Sequence, residues 1–499
     1  EGHGAPPGYH ALLIPFLIFP GSLLLPAALV LAWRQRGTSG VRFALAWLIP
    51  TWLLFEILPT KLVHYTLPGF GGLAWLLAAA VLEPMSRRLR WTGAALGLAA
   101  ALLFAGKAPR RSADGHYGFH ANRNYFYLAG LEQEEGALLL AKIGGELSAT
   151  LFSLPPDDLA ERWRGRRLKP SELEAASGIS ATASTLALPD RLSGLVRSGD
   201  VERLYLDFDP EDSHAAVDSV RILARDLRER FPALVLSDAW PILAALRERK
   251  RPEEIACLRE AIRITGLGID AMMRACRPGL PEQRLEAEFL YAIGLEGVRE
   301  PAFPSIVAAG DSVFQLHYTS LSAPIPADRL VQVDVGATAG GLCADISRCF
   351  PSGGRFDGRQ RALYDGVRRC LETALSAIGP GVRFDEVRSR CEDVAWETLR
   401  DMGHPVARAD IRNHFWHGVS HSLGHDVHDV LRETAGPGNR PRIYQPGMVV
   451  SVEPGLYIPE WGLGLRLEED ALVTGTGCEN LSAGIPVDPE AIEAFMGAR

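Results

Sequence analysis

Two strongly apolar stretches in the C-terminal half of the chain each carry a carboxylate, and this constrains the fold more than any other feature. Val331-Gln-Val-Asp-Val-Gly336 holds Asp334, and Gly447-Met-Val-Val-Ser-Val-Glu453-Pro-Gly-Leu-Tyr457 holds Glu453. Apolar β-branched runs of this length, bounded by glycine or proline, read as strands. An acid on such a strand is costly to bury unpaired, so the fold must supply it with a partner. The first run continues through a small-residue turn into Leu342-Cys-Ala-Asp-Ile-Ser-Arg-Cys-Phe350, which predicts a hairpin. With the turn centred between Ala339 and Gly340, Asp334 and Asp345 face one another. Directly opposed Cβ atoms lie about 4.5–5.5 Å apart, and two carboxylates that close repel when both are ionised. Divalent cations offset that repulsion. Taken alone, the pair is equally readable as a turn cap and a solvated acid.

Two further segments lower the weight of that plainer reading. Five of the 13 histidines fall in His414-Phe-Trp-His417-Gly-Val-Ser-His421-Ser-Leu-Gly-His425-Asp-Val-His428-Asp429. Imidazole serves as both metal ligand and proton carrier. At least one of the five is expected to be structural, with His414 and His425 the candidates. In Gly464-Leu-Arg466-Leu-Glu468-Glu-Asp470, Arg466 and Glu468 are two residues apart and share one face of a strand. The set Asp, Asp, His, Glu, Glu suits two hard-to-borderline divalent ions, with Mn²⁺ the natural choice. Two such ions can activate water and polarise a carbonyl, which is what amide hydrolysis requires.

The order and spacing of these motifs resemble the pita-bread metallopeptidases: aminopeptidase P, prolidase and methionine aminopeptidase. The likeness covers about residues 112–499. It implies that Asp334 binds one ion, that His421 and Glu453 bind the other, and that Asp345 and Glu468 bridge the two. Within that group, His417-Gly-Val-Ser-His421 with Asp426-Val-His428-Asp429 looks most like aminopeptidase P and prolidase, as does Gln315-Leu-His317-Tyr318. The resemblance implies catalytic roles for His317, His417, His428, Glu453 and Arg466. It places His317, His428 and Tyr457 against the substrate. It also implies hydrolysis of the bond between an N-terminal residue and a following proline, with peptides carrying proline at the second position as substrates. Prolidase, acting on Xaa-Pro dipeptides, is the alternative. Relatives are commonly homo-oligomers. His425 departs from the pattern, which usually has an apolar residue there, and is expected to alter the pocket wall. A non-catalytic peptide-binding module is a further reading, opposed by the presence of all five ligand residues.

The N-terminal part differs in character. Ala11 to Trp33, Phe43 to Leu58, Leu67 to Leu82 and Trp91 to Gly106 are apolar runs, and a membrane helix needs about 20 such residues. Residues 1–106 are therefore expected to be an all-α transmembrane region. Arginines after the first and third runs place those loops in the cytoplasm. If the fourth run spans, everything after Lys107 lies outside. If it lies at the interface, the catalytic part is cytoplasmic, which Lys107, Arg110 and Arg111 favour. Phe55-Glu-Ile-Leu-Pro-Thr-Lys-Leu-Val-His-Tyr-Thr-Leu-Pro68 resembles a loop of polyprenyl-phosphate-sugar glycosyltransferases, without that family's acidic catalytic loop. The first residue is Glu1, which suggests a fragment or a processed chain.

Residues 112–248 alternate strand and helix patterns and are expected to form a non-catalytic α/β domain. Tyr125 to Gly130, Ala137 to Ala141 and Arg203 to Asp207 read as strands, and Ser213 to Phe231 as an amphipathic helix. Pro252 with acids after it opens a helix, so the α+β catalytic domain is set at 251–499. The net charge of -8 gives no reason to expect nucleic acid as a partner. The seven cysteines contain no CxxC pair, so neither a zinc knuckle nor a disulfide framework is implied.

Overall fold

In the computed structural model, residues 32–33, 99–113, 115–143, 146–208, 219–430, 434–435 and 440–498 are described. The first three apolar runs, the glycosyltransferase-like segment and the membrane assignment built on them fall almost wholly outside these residues. Among the described residues, no helix is long and apolar enough to cross a membrane. The chain divides into two units between Trp240 and Pro241, ahead of the boundary expected near Glu248.

The fourth apolar run is a correction. Its end forms strand β1 (Ala99–Phe104), one of the two central strands of a six-stranded sheet. The others are β2 (Ala137–Ile143), β3 (Glu146–Ser153), β4 (Ala181–Ser184), β5 (Arg203–Leu206) and β6 (Val235–Asp238), in the order β4-β3-β2-β1-β5-β6. β1 pairs antiparallel with β2 and parallel with β5. Leu102 and Leu103 point to opposite faces and are both buried. A strand covered on both faces reads as a continuous apolar run, which is why this one resembled a membrane segment. The α/β domain therefore starts before Lys107.

Tyr125 to Gly130 is a second correction, since Arg123–Ala129 is a helix. The Asn122 side chain accepts from the backbone N–H of Asn124 and Tyr125 at 2.9 and 3.0 Å, capping the first turn. Gly130, with φ 69°, ends the helix in the left-handed conformation. The expected helix from Ser213 is observed over Ser219–Arg230.

The second unit has two helix pairs, Pro252–Ala275 with Glu282–Leu295 and Gly358–Ala377 with Phe384–Asp401, around small sheets. One sheet joins β7 (Ile306–Ala309), β8 (Leu330–Val335) and β11 (Ile346–Pro351). Between β8 and β11, β9 (Thr338–Ala339) pairs with β10 (Leu342–Cys343). Beyond the short pair Thr434–Ala435 with Arg440–Pro441 come β12 (Val449–Val452), β13 (Gly455–Ile458), β14 (Leu463–Arg466), β15 (Glu469–Val473) and β16 (Cys478–Asn480). β12 pairs with β15, β15 with β16, and β13 with β14. Every strand pair among the described residues of this unit is antiparallel, as an α+β fold requires. One core runs from Ala261 to Met496 and joins helices and sheets.

The hairpin register differs from expectation by one position on each side. Leu342 pairs with Ala339 and Ser347 with Asp334. The turn is therefore centred between Gly340 and Gly341, both at positive φ (58° and 76°). A two-residue turn with both residues at positive φ suits Gly-Gly. Asp334 thus lies opposite Ser347 and diagonal to Asp345, on the same face of the sheet.

Candidate metal centre

Backbone pairing brings the histidine segment alongside the Glu453 strand. Leu423 N–H donates to Val449 O, Ser451 N–H to His421 O, Glu453 N–H to Val419 O and Tyr457 N–H to His414 O, at 2.7–3.0 Å. His421 is thereby laid against β12, and its N–H also donates to Ser451 Oγ at 3.1 Å. Its Nδ1–H donates to the Ser422 carbonyl at 3.1 Å, which leaves the Nε2 lone pair facing the carboxylates. Nε2 lies 3.3 Å from Asp345 Oδ2, 3.7 Å from Glu453 Oε1 and 3.9 Å from Glu468 Oε1.

Asp334 is tied to this group through Arg466. The guanidinium pairs with Asp334 Oδ2 through Nη2 and donates from Nε to Ser347 Oγ at 2.9 Å. Ser347 Oγ in turn donates to Glu468 Oε2 at 3.0 Å. Arg466 is buried among these groups, so it positions acids and has no free face for substrate. Burial opposes its charge, yet Asp334 and its other neighbours hold its pKa well above the usual value.

The other expected residues surround this core. The His417 Nδ1–H donates to Gly418 O at 2.8 Å, with Glu453 Oε2 at 3.5 Å. Tyr457 O–H donates to His417 Nε2 at 3.0 Å. Tyr457 is 1% exposed, and its hydroxyl is engaged by His417. A side chain at Gly455 would bring its Cβ to 2.7 Å from His417 Nε2 and 2.8 Å from the Tyr457 hydroxyl, so only glycine lets this pair form. The ring of His428 lies tilted against His421, with centroids 4.1 Å apart. Burial and the neighbouring His421 push His428 down to about 4, and burial likewise lowers His417. Both rings are therefore neutral at neutral pH. His317 lies on an exposed turn, and its link to the cluster is electrostatic, through His428.

Burial, then repulsion from Asp334, Asp470 and Glu453, pushes the Asp345 carboxyl well above its ordinary range. Glu468 is raised in the same way, by burial and then by Asp345 and Asp334. Asp334 Oδ1 is buried without a hydrogen-bond partner. Acids crowded together, an orphaned carboxylate oxygen and an imidazole lone pair aimed at them fit divalent cations well.

His414 and His425 each have one ring nitrogen tied to a backbone carbonyl. The His414 Nδ1–H donates to the Tyr457 carbonyl at 3.0 Å. The His425 Nδ1–H donates to Gly341 O at 2.9 Å, so it braces the hairpin turn instead of lining a pocket. Two residues given no part beforehand belong to the site. Ser347 bridges Arg466 and Glu468, and Asp470 Oδ2 accepts from the Asp345 N–H at 3.2 Å. The period of two was the available signal: Asp345 and Ser347 share a face, as do Glu468 and Asp470.

The loop carrying His428 is anchored by a separate charge group. Asp429 receives Arg247 and, at 3.2 Å, Lys250, and Arg247 reaches Asp426 at 3.0 Å. A Cβ at Gly424 would collide with the Asp429 carboxylate and come within 3.1 Å of Lys250 Nζ.

Comparison with known proteins gives consistent results. The family model for metallopeptidase family M24 matches residues 256–475, and that for the aminopeptidase P N-terminal domain matches residues 85–205. The second match begins ahead of the fourth apolar run and takes in the whole of it. The chain is 35% identical to the Xaa-Pro aminopeptidase of Escherichia coli strain K12, over 80% of this chain and 94% of that protein. Among solved structures it is similar to proline aminopeptidase P II from Yersinia pestis (34% identity, 81% of this chain and 96% of that one, TM-score 0.74). It is also similar to aminopeptidase P from E. coli with the inhibitor Pro-Leu (32% identity, 84% and 96%, TM-score 0.73).

Proposed function

The chain belongs to metallopeptidase family M24, with an aminopeptidase P N-terminal domain and the pita-bread fold, and from that premise we propose that it is an Xaa-Pro aminopeptidase. It hydrolyses the bond between an N-terminal residue and a following proline. One geometric observation carries the reading: a single imidazole nitrogen, His421 Nε2, faces three carboxylates within 3.9 Å. The relatives' names supply the substrate class.

The family uses divalent metal ions. Here Asp334, Asp345, His421, Glu453 and Glu468 would hold two, and an oxygen-rich set with one imidazole favours Mn²⁺. When bound, the ions supply Lewis acidity and an activated water. The chain's own residues do the rest. Glu453 takes the proton of the attacking water at a carboxylate oxygen and passes it to the prolyl nitrogen as the C–N bond breaks. His428, neutral and carrying one N–H, donates to the substrate carbonyl oxygen as charge builds there. His317 lines the same side of the substrate. His417, held by Tyr457 and Gly418, keeps Glu453 in place. Arg466 orients Asp334 and, through Ser347, Glu468. The prolyl nitrogen has no N–H, and none of these contacts needs one.

The test is hydrolysis by the chain with Mn²⁺, comparing an Xaa-Pro-Yaa tripeptide with an Xaa-Pro dipeptide, with and without chelator. Chelator-sensitive cleavage of the tripeptide is expected. Cleavage of the dipeptide alone would replace the reading with prolidase, and cleavage of neither would remove it.

A further inference from the structure

A second group of metal-ligand side chains converges away from the carboxylate cluster. His404 follows the helix Phe384–Asp401, His414 follows the 3-10 helix Arg408–Asn413, and Glu460 sits in the 3-10 turn Pro459–Trp461. One ligand atom from each lies within 4.8 Å of the others. Glu460 is remote in sequence from the two histidines, and none of the three belongs to the five-residue set assigned above.

The two rings are held in fixed orientations. His414 is buried, and its Nδ1–H donates to the Tyr457 carbonyl. Its Nε2 is therefore a lone pair, the arrangement that metal-binding histidines adopt. His404 packs edge-on against Trp461, with centroids 5.0 Å apart. The two Nε2 atoms are 3.3 Å apart. Two zinc–nitrogen bonds of about 2.0–2.1 Å at a tetrahedral angle hold their nitrogens about 3.3 Å apart. A direct hydrogen bond between the rings would also give this spacing, but it leaves the Glu460 carboxylate without a part.

We propose that His404, His414 and Glu460 form a site for one borderline divalent ion, zinc in preference to manganese, with the fourth position open to water. Two imidazoles and one carboxylate select such an ion, whereas the four-carboxylate cluster suits a harder one. The bound ion would clip together the end of the helix Phe384–Asp401, the start of the histidine segment and the turn after β13. Because His414 is bonded to Tyr457, the clip would stiffen the wall that supports His417.

The test is zinc binding by the metal-stripped chain, read by competition with a coloured chelator, in wild type, His404→Gln and Glu460→Gln. The readout is the difference between proteins, so it does not depend on how many ions the carboxylate cluster takes. The expected result is one fewer zinc per chain in His404→Gln. Glu460→Gln, an exposed change that the fold should tolerate, should bind that ion about tenfold or more weakly. Cobalt substitution should give a visible spectrum in wild type that is more intense, by the contribution of one four-coordinate ion, than that of His404→Gln. Equal stoichiometry and affinity in all three proteins would overturn the proposal, whatever the peptidase activity.

Discussion

Asp429 and Asp345 are both buried aspartates of the second unit, and they meet opposite surroundings. Asp429 lies between Lys250 and Arg247, so although burial raises its pKa, the two cations bring it below the ordinary value. Asp345 lies among Asp334, Asp470 and Glu453, and both burial and these neighbours drive it up. The first group is complete within the protein. The second is complete only with cations from outside. Burial thus does not distinguish a structural charge from a functional one; the sign of its neighbours does.

The largest expected effect falls on the incomplete group. Glu468→Gln should lower kcat/KM by about 10³–10⁴-fold, since weakened ion binding forfeits several kcal/mol of transition-state stabilisation. Steady-state hydrolysis of an Xaa-Pro-Yaa peptide checks this, and near-normal rates would remove Glu468 from the ligand set. The complete group should respond in stability. Asp429→Asn leaves two buried cations underpaired and should cost about 3–5 kcal/mol, read from urea denaturation; a loss under 1 kcal/mol, about that of a surface pair, would contradict the contrast.

Next comes the donor at the cluster's edge. His428→Gln should lower kcat by about 10²–10³-fold with little change in KM, as for a contact made mainly in the transition state. A rise in KM alone would make His428 a ground-state binding residue.

The smallest effect is on pH dependence. Asp345 and Glu468 have folded pKa values above their unfolded ones, so the metal-free folded chain binds more protons than the unfolded chain. Its stability should therefore fall as pH rises above about 4, the ordinary carboxylate value. Asp429 has the opposite sign: its contribution is present above about 3.9 and is lost as pH drops through its lowered folded value. Urea midpoints of chelator-treated protein should be lower at about pH 8 than at about pH 5.5, and Asp345→Asn should flatten the difference.

The acids of the candidate centre were legible because they interrupt apolar strands. Asp334 and Glu453 break β-branched runs, and the period of two puts Arg466 with Glu468. The hairpin register was misread because the turn was centred on Ala339-Gly340, when the Gly340-Gly341 pair alone satisfies two positive φ values. β1 was misread because a strand covered on both faces has no alternation to distinguish it from a membrane run. Arg123–Ala129 was misread because its aromatics suggested a strand, while Asn122 and Gly130 marked the helix ends. The triad of His404, His414 and Glu460 could not be read at all, since only tertiary packing brings Glu460 to the two histidines.

Thermal unfolding of the metal-stripped chain, with and without added Mn²⁺, tests the central claim most directly. If the carboxylate cluster is completed by cations, Mn²⁺ should raise the unfolding temperature of wild type and leave Glu468→Gln nearly unchanged. Equal shifts in the two proteins would place the stabilising ion outside the cluster, and no shift in wild type would show that the buried acids are satisfied by the protein alone; either contradicts the claim.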